Sequence, residues 1–415
     1  MKKRPLILIA LLVVSCSKAN VKPSQQVNTA SCDCKQQSSL PDDNKPIALQ
    51  DYALLKPASW QDIDGFTEDD LSAAWPAWLQ SCSVLKNKTQ KNKTQANQQP
   101  WQAACAAASV LTRPSKQAVQ AYFVEYFDVY SANNSEGANT GLMTGYYQPL
   151  LKGSRSKSNQ YPYPLYKQPD DLITVDLGET YPDLKNKRVR GKLVIDKDGR
   201  NKLVPYPTRA EIETATMPLA GNELVWINDQ VEGFFLQVQG SGIVQFDNGE
   251  TIQVGYADQN GQAYNSIGRV LIERGELTKD QAGMQGIKNW ATKNPAKLQA
   301  LLNANPSYVF FRELPAGLLG PLGALGVPLT AERSVAIDPR HVPLGAPIFL
   351  STTQPNTNQP LKKLMVAQDT GGAIKGGVRA DYFWGAGDAA GKQAGSMKQQ
   401  GKIWVLLPKG FELPK

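Results

Sequence analysis

Residues Leu364 to Gly385 read LMVAQDTGGAIKGGVRADYFWG and hold two aspartates in unlike surroundings. Leu364 to Ala367 is a short apolar run of the kind a buried strand shows, and Asp369 follows at the head of the glycine-rich TGGAIKGG. That places a carboxylate where a strand stops. Twelve residues on, Asp381 is followed by Tyr382, Phe383 and Trp384. An apolar aromatic wall disfavours an ionised carboxyl, and the raised pKa is what a general acid needs near neutral pH. An aspartate between a strand and a glycine also commonly bonds its own backbone in a turn, so spacing alone leaves Asp369 with two readings. Gly371, Gly372, Gly376 and Gly377 make no phosphate cradle, because no Gly-Lys-Ser/Thr follows them.

Working outward, Ser334-Val335-Ala336-Ile337-Asp338-Pro339 again ends in an aspartate, Pro347 to Leu350 is a further apolar run, and residues 402–407 close the set of strands. Between about Tyr166 and Gly255 short β-rich runs dominate, with the turn signals Lys197-Asp198-Gly199 and Asp247-Asn248-Gly249 of a small barrel. The run FFLQVQGSG, Phe234 to Gly242, reads as a strand with Phe234, Leu236 and Val238 on a core face. Its other face carries Phe235, Gln237, Gln239 and Ser241, an aromatic among amides and a hydroxyl. Such a face suits a carbohydrate, and a solvated strand would look the same. Helical spacing marks residues 71–82, 101–108 and 119–130, the last capped by Ser115, then 267–271, 284–290 and 298–302. The expected class is α+β, mainly β with helical segments.

The N-terminus has Lys2, Lys3 and Arg4, an apolar run from Leu6 to Val14, then Ser15 and Cys16. This is an export signal over residues 1–15, too short to span a bilayer as a helix. Val13-Val14-Ser15-Cys16 resembles a bacterial lipobox, which would leave Cys16 lipidated, and Ser17 suits sorting to the outer membrane of a Gram-negative cell. Residues 16–51 are polar and apolar-poor, the composition of a flexible tether. Loss of the signal lowers the formal +8 to about +5, a balance that suits an acidic polymer. The repeat KNKTQKNKTQ, Lys86 to Gln95, lacks interleaved aromatics and reads as a solvated loop, not a nucleic-acid patch. Of five cysteines, Cys82 and Cys105 flank this repeat and suit a disulfide in an oxidising compartment, while Cys32 and Cys34 lie in the tether. His341 is the one histidine, so a zinc site or a Ser-His-Asp hydrolase has too few ligands or partners.

Five segments carry a family likeness in order along most of the chain beyond the tether: TGYYQP at 144–149, EGFFLQVQGSG at 232–242, SVAIDP at 334–339, AQDTGGAIKG at 367–376 and ADYFWG at 380–385. Together they closely resemble the membrane-bound lytic murein transglycosylase A family. The resemblance implies a double-psi β-barrel domain formed by 52–164 and 311–415, a second β-barrel inserted over 165–310, and a glycan groove between them. It implies that Asp381 is the catalytic residue, that Asp369 supports it, and that Asp338 completes the trio on the substrate side. Gln237, Gln239, Ser241, Tyr146 and Lys375 are expected to hold the glycan. The implied partner is a peptidoglycan strand, bound by a monomer without metal or other cofactor. Recruitment by cell-wall synthesis or division proteins is a further expectation.

Most glycosidases need two carboxylates, because one must act as nucleophile or activate water. The implied reaction can manage with one, since the 6-hydroxyl of N-acetylmuramic acid is itself the nucleophile. Two other readings stay open at this point: a hydrolase using Asp369 as base, and a non-catalytic peptidoglycan-binding lipoprotein.

Overall fold

The computed structural model describes residues 52–86, 95–177, 180–181, 189–214 and 219–413. The signal, Cys16, the tether with Cys32 and Cys34, and most of the lysine-rich repeat lie outside the described residues.

Six strands close into a barrel: Gly141–Gln148, Ala380–Ala386, Ser334–Ile337, Pro360–Thr370, Pro347–Thr353 and Lys398–Pro408, the last pairing back onto the first. Two of its pairings are parallel, Ser334–Ile337 with Pro360–Thr370 and Ala380–Ala386 with Gly141–Gln148. This is the closed barrel that the family likeness implies. Phe127–Ala132 and Leu55–Ala58 extend it at one edge. Alternation along each strand turns Met143, Val335, Ile337, Ala380 and Tyr382 into one core with Ile348, Leu364 and Val405. The intervening residues of those strands are left on the outer face.

The same core continues into the helices Trp75–Leu85, Gln95–Ser109 and Lys116–Tyr126. Trp75, Trp78, Tyr122, Phe123 and Phe127 pack edge to face there, an arrangement that rings prefer to flat stacking. Ser115 caps the third helix through the Ala118 N–H. Cys82 and Cys105 form a disulfide between the first two.

A second six-stranded sheet runs Val309–Glu313, Thr251–Gln259, Ser241–Gln245, Leu150–Ser154, Glu223–Ile227 and Tyr163–Tyr166. A bridge between Lys167 and Phe311 draws its two ends together. The sheet starts at Leu150 and ends at Glu313, so the inserted unit is wider than the expected 165–310. Pro149 explains the sharp boundary: it cannot donate to the barrel ladder, and its carbonyl already accepts from Ile243 of the second sheet.

A larger correction concerns residues 234–242. They are not a strand: Gln230–Gln239 is an α-helix, and the β-structure begins only at Ser241. Asp229 caps the helix by accepting from the N–H groups of Val231 and Glu232, and Gly240 ends it at φ 81°. The alternation was misleading because this helix is buried on most of its sides, so its polar residues do not fall on one solvent stripe. Val231, Phe234 and Phe235 pack on the helices Ile267–Glu273, Met284–Lys293 and Pro295–Leu302, while Leu236 enters the core of the second sheet.

Candidate active site

Asp369, Ala336, Asp381 and Thr144 lie in one row across four neighbouring barrel strands. Ala336 is the register partner of Asp369 on one side and of Asp381 on the other, and Asp381 is in turn the partner of Thr144. Partners in register project to the same face, here the outer one, where Tyr146, Leu329, Ala336 and Phe383 form a small apolar cluster.

Regular alternation would have sent Asp369 elsewhere. Val335 pairs with Ala367, and Ala336 would then pair with Gln368, but the register slips by one residue and Asp369 takes that place. The slip is a β-bulge, a device that re-aims a side chain. Gln368 holds it. The Gln368 side chain is fully buried, accepts from the Ser334 hydroxyl at 2.5 Å, and donates to the Ala77 carbonyl and the Ser81 hydroxyl of helix Trp75–Leu85 at 2.8 and 3.1 Å.

The two carboxyls are held differently. Asp369 accepts three bonds, from the Ala324 N–H at 2.9 Å, the Thr370 N–H at 2.9 Å and the Tyr146 hydroxyl at 3.0 Å. Burial still outweighs those donors and pushes its pKa up to about 6, with the Asp381 charge adding to the rise. Burial likewise raises Asp381, opposed by the Thr144 hydroxyl, which donates to its Oδ1 at 2.5 Å, and by the Arg379 charge. Both carboxyls remain half-buried: protein crowds them, yet solvent reaches them from the outer face. Burial thus holds each carboxyl in the direction that an acid catalyst needs, toward the protonated form.

Asp338 is placed differently from the expectation. It is fully buried, paired with the Arg340 guanidinium, and accepts from the Gly376 N–H at 2.8 Å. Burial pushes its carboxyl up, but the bonds from Arg340 and Gly376 outweigh this and leave it below the usual carboxylate range. Gly376 has φ 111°, which only glycine adopts without strain. Asp338 thus fastens the loop between the two other aspartates, with its carboxyl committed to Arg340 and Gly376.

The expected glycan-holding residues do not gather on one face. In a helix, Gln237 and Gln239 point in nearly opposite directions. Gln237 is buried, accepting from Arg209 at 2.6 Å and from the Val309 N–H at 3.2 Å. Its place in the insert's interior corrects the reading of it as a ligand residue. Gln239 instead reaches the barrel, accepting from the Tyr147 N–H at 3.2 Å, and Ser241 follows it at the start of its strand. Tyr146 touches Asp369, while Lys375 is exposed on the loop that Asp338 fastens. Two residues around Asp381 were not singled out from the sequence: Thr144 and Arg379. Thr144 stood in a quoted motif, but its bond to Asp381 depends on strand pairing across 237 positions.

Comparison with known proteins bears on the fold and the family. A family model described as MltA specific insert domain matches residues 142–312, and one described as 3D domain matches residues 333–407. The membrane-bound lytic murein transglycosylase A of Escherichia coli strain K12 is 32% identical over 286 residues, covering 67% of this chain and 69% of that protein. The crystal structure of MltA from Neisseria gonorrhoeae superposes with a TM-score of 0.73 at 35% identity, covering 86% of this chain and 93% of the other. A structure of E. coli MltA with bound chitohexaose aligns with a TM-score of 0.59 at 25% identity, over 85% and 93% of the two chains.

Proposed function

The chain belongs to the membrane-bound lytic murein transglycosylase A family, and from that membership and the aspartate row we infer how it acts on peptidoglycan. It is a lytic transglycosylase: it cleaves the β-1,4 bond between N-acetylmuramic acid and N-acetylglucosamine and leaves a 1,6-anhydromuramyl end.

In the reading proposed here, Asp381 donates its proton to the oxygen bridging the two sugars, which leaves as the 4-hydroxyl of N-acetylglucosamine. The 6-hydroxyl oxygen of the muramyl ring closes on its own anomeric carbon, and its proton passes to the Asp381 carboxylate. The acid is regenerated and no water is consumed. An intramolecular nucleophile can have an effective molarity of about 10⁵ to 10⁸ M if the ring is held with that hydroxyl axial. The protein's main tasks are then ring distortion and one acid-base group.

One observation favours this over hydrolysis. Asp369, the neighbouring carboxylate of the row, already accepts from Ala324, Thr370 and Tyr146, so it is poorly placed to take a proton from an attacking water. We assign it an electrostatic role beside the muramyl C1. Gln239, Ser241, Tyr146 and Lys375 remain the proposed glycan contacts. Among the described residues no helix is long and apolar enough to cross a membrane; attachment through lipidated Cys16 at the periplasmic face of the outer membrane is proposed from the sequence.

The test is to incubate the protein with purified murein beside Asp381→Asn and weigh the soluble muropeptides. Products lighter by one water than their reducing counterparts, absent with the variant, support the reading. Reducing ends would transfer the assignment to hydrolysis with Asp369 as base.

A further inference from the structure

Arg379 lies two residues before Asp381 and is linked to it through Thr144. Its guanidinium is half-buried and held by three acceptors: Nη1 donates to the Ala380 carbonyl at 2.6 Å and to the Leu142 carbonyl at 3.3 Å, and Nη2 donates to Thr144 Oγ1 at 2.9 Å. The Thr144 hydroxyl in turn reaches Asp381 Oδ1 at 2.5 Å.

A guanidinium can only donate, so Thr144 Oγ1 must accept from it, and the hydroxyl hydrogen is then directed at Asp381. A carboxyl oxygen that accepts this bond is the poorer place for its own proton. The acid proton of Asp381 is thereby kept on the other oxygen, Oδ2. We propose that Arg379 is a positioning residue which, through Thr144, fixes the proton of Asp381 on the oxygen that serves the substrate and steadies the carboxylate left after proton transfer. The proposal rests on Asp381 being the acid.

The groups around Asp381 leave this task to Arg379. Asp369 and Tyr146 share the outer face, and there the Asp381 charge opposes ionisation of Asp369. Glu332, before the Ser334–Ile337 strand, is paired with Lys363. Lys398 is exposed, and it meets the row only as the register partner of Thr144. On the helix Gly387–Ser396, Asp388 and Lys392 carry opposite charges. Arg379 is the cation whose field reaches Asp381, and burial lowers the guanidinium's own pKa, the cost of holding it there.

The experiment measures pH profiles of kcat and KM for release of anhydro products from soluble glycan strands. The proteins are wild type, Arg379→Met, Arg379→Lys, Thr144→Val, the Arg379→Met/Thr144→Val pair and Asp381→Asn. Because the acid must be protonated, activity falls as pH rises through its pKa. Removing Arg379 raises that pKa, so the alkaline limb moves up by about one pH unit and kcat falls about tenfold, with KM changed less than about twofold. Arg379→Lys recovers part of the shift. Thr144→Val shifts the limb in the same direction, and the double variant shifts it by less than the sum of the two, as groups acting largely in series require.

An unmoved limb in Arg379→Met, a rise in KM alone, or additive shifts in the double variant would overturn the proposal. If Arg379→Met does not fold, Thr144→Val against Thr144→Ser decides: only the loss of the hydroxyl moves the limb if the relay operates. An active Asp381→Asn would remove the reading of Asp381 as acid, and the proposal with it. An inactive Asp381→Asn with an unmoved Arg379→Met limb removes the proposal alone.

Discussion

Asp369 and Asp381 stand on opposite sides of Ala336, each its register partner in a neighbouring strand, so one methyl group separates the two carboxyl-bearing residues. Ala336 is 3% exposed and packs with Tyr146, Leu329 and Phe383. Any larger side chain there must displace one carboxyl or the other. Ala336→Val is expected to lower kcat/KM at least about tenfold, while overpacking costs the fold about 1 to 3 kcal/mol. Wild-type activity in a folded Ala336→Val protein would show that the spacing of the aspartates does not matter.

The two carboxyls are predicted to contribute unequally. Loss of an acid-base group costs about 10² to 10⁴ in rate, so Asp381→Asn should fall by at least that range in anhydro-product release. Asp369→Asn keeps an oxygen that can accept from the Ala324 and Thr370 N–H groups, which share one carboxyl oxygen, and should lose about tenfold or less if its role is electrostatic. A drop in Asp369→Asn as large as in Asp381→Asn, with reducing-end products from the wild type, would be the hydrolase pattern.

The bulge that aims Asp369 depends on buried polar bonds. In Gln368→Leu the side chain keeps its volume, but the Ser334 hydroxyl, the Ser81 hydroxyl and the Ala77 carbonyl each lose a partner. Unsatisfied buried groups cost about 1 to 3 kcal/mol each, so this variant should be destabilised by several kcal/mol in urea unfolding. Its residual activity should be low in kcat with KM little changed, because Asp369 no longer holds its place beside Asp381. A stable, fully active Gln368→Leu would mean that the backbone alone fixes the slip.

Much of the barrel was legible because its strands contain short apolar runs, two of them followed closely by an aspartate: the strands 334–337, 347–353 and 360–370 stand where the runs predict. The helix Gln230–Gln239 was hidden, since a helix buried between two cores shows no polar stripe and FFLQVQ also satisfies a period of two. Asp229 and Gly240, its start and stop, were the available signal. The outward aim of Asp369 could not be read at all. Alternation from Ala367, whose partner Val335 lies in the core, would put Gln368 outward and Asp369 inward; a register slip held by bonds to a distant helix turns Asp369 out. Asp338 was expected on the substrate side because the family likeness groups the three aspartates; its full burial and its Arg340 and Gly376 bonds set it apart from the other two.

The disulfide should matter for stability and reach the site only indirectly. Cys82 and Cys105 are separated by 23 positions, and a loop of that size is worth about 3 kcal/mol by the chain-entropy account. Cys82→Ala/Cys105→Ala is expected to unfold at lower urea, with a slope equal to or steeper than that of the wild type because the freed loop lets the unfolded chain expand. Ser81, beside Cys82, accepts from Gln368, so loosening the helix should also lower kcat. Equal stability of oxidised and reduced wild-type protein would contradict both effects.

Asp369 should make the protein's stability depend on pH in an unusual direction. Its pKa is about 6 when folded, against an ordinary carboxyl value of 3.8, with burial as the main cause. Between about pH 4 and 6 the folded protein therefore keeps a proton that the unfolded chain releases, so this residue's contribution falls as pH rises through that window. Above it the cost levels off at no more than about 3 kcal/mol, given 1.36 kcal/mol per unit. Below pH 4 both states are protonated and the cost vanishes. Asp369→Asn carries no such charge. Its melting temperature relative to wild type should rise between pH 4 and pH 7 and stay flat above that, whatever constant offset the altered hydrogen bonds introduce. A difference that does not change with pH, measured by thermal melts at half-unit intervals, would mean that Asp369 titrates in the fold as it does in the open chain.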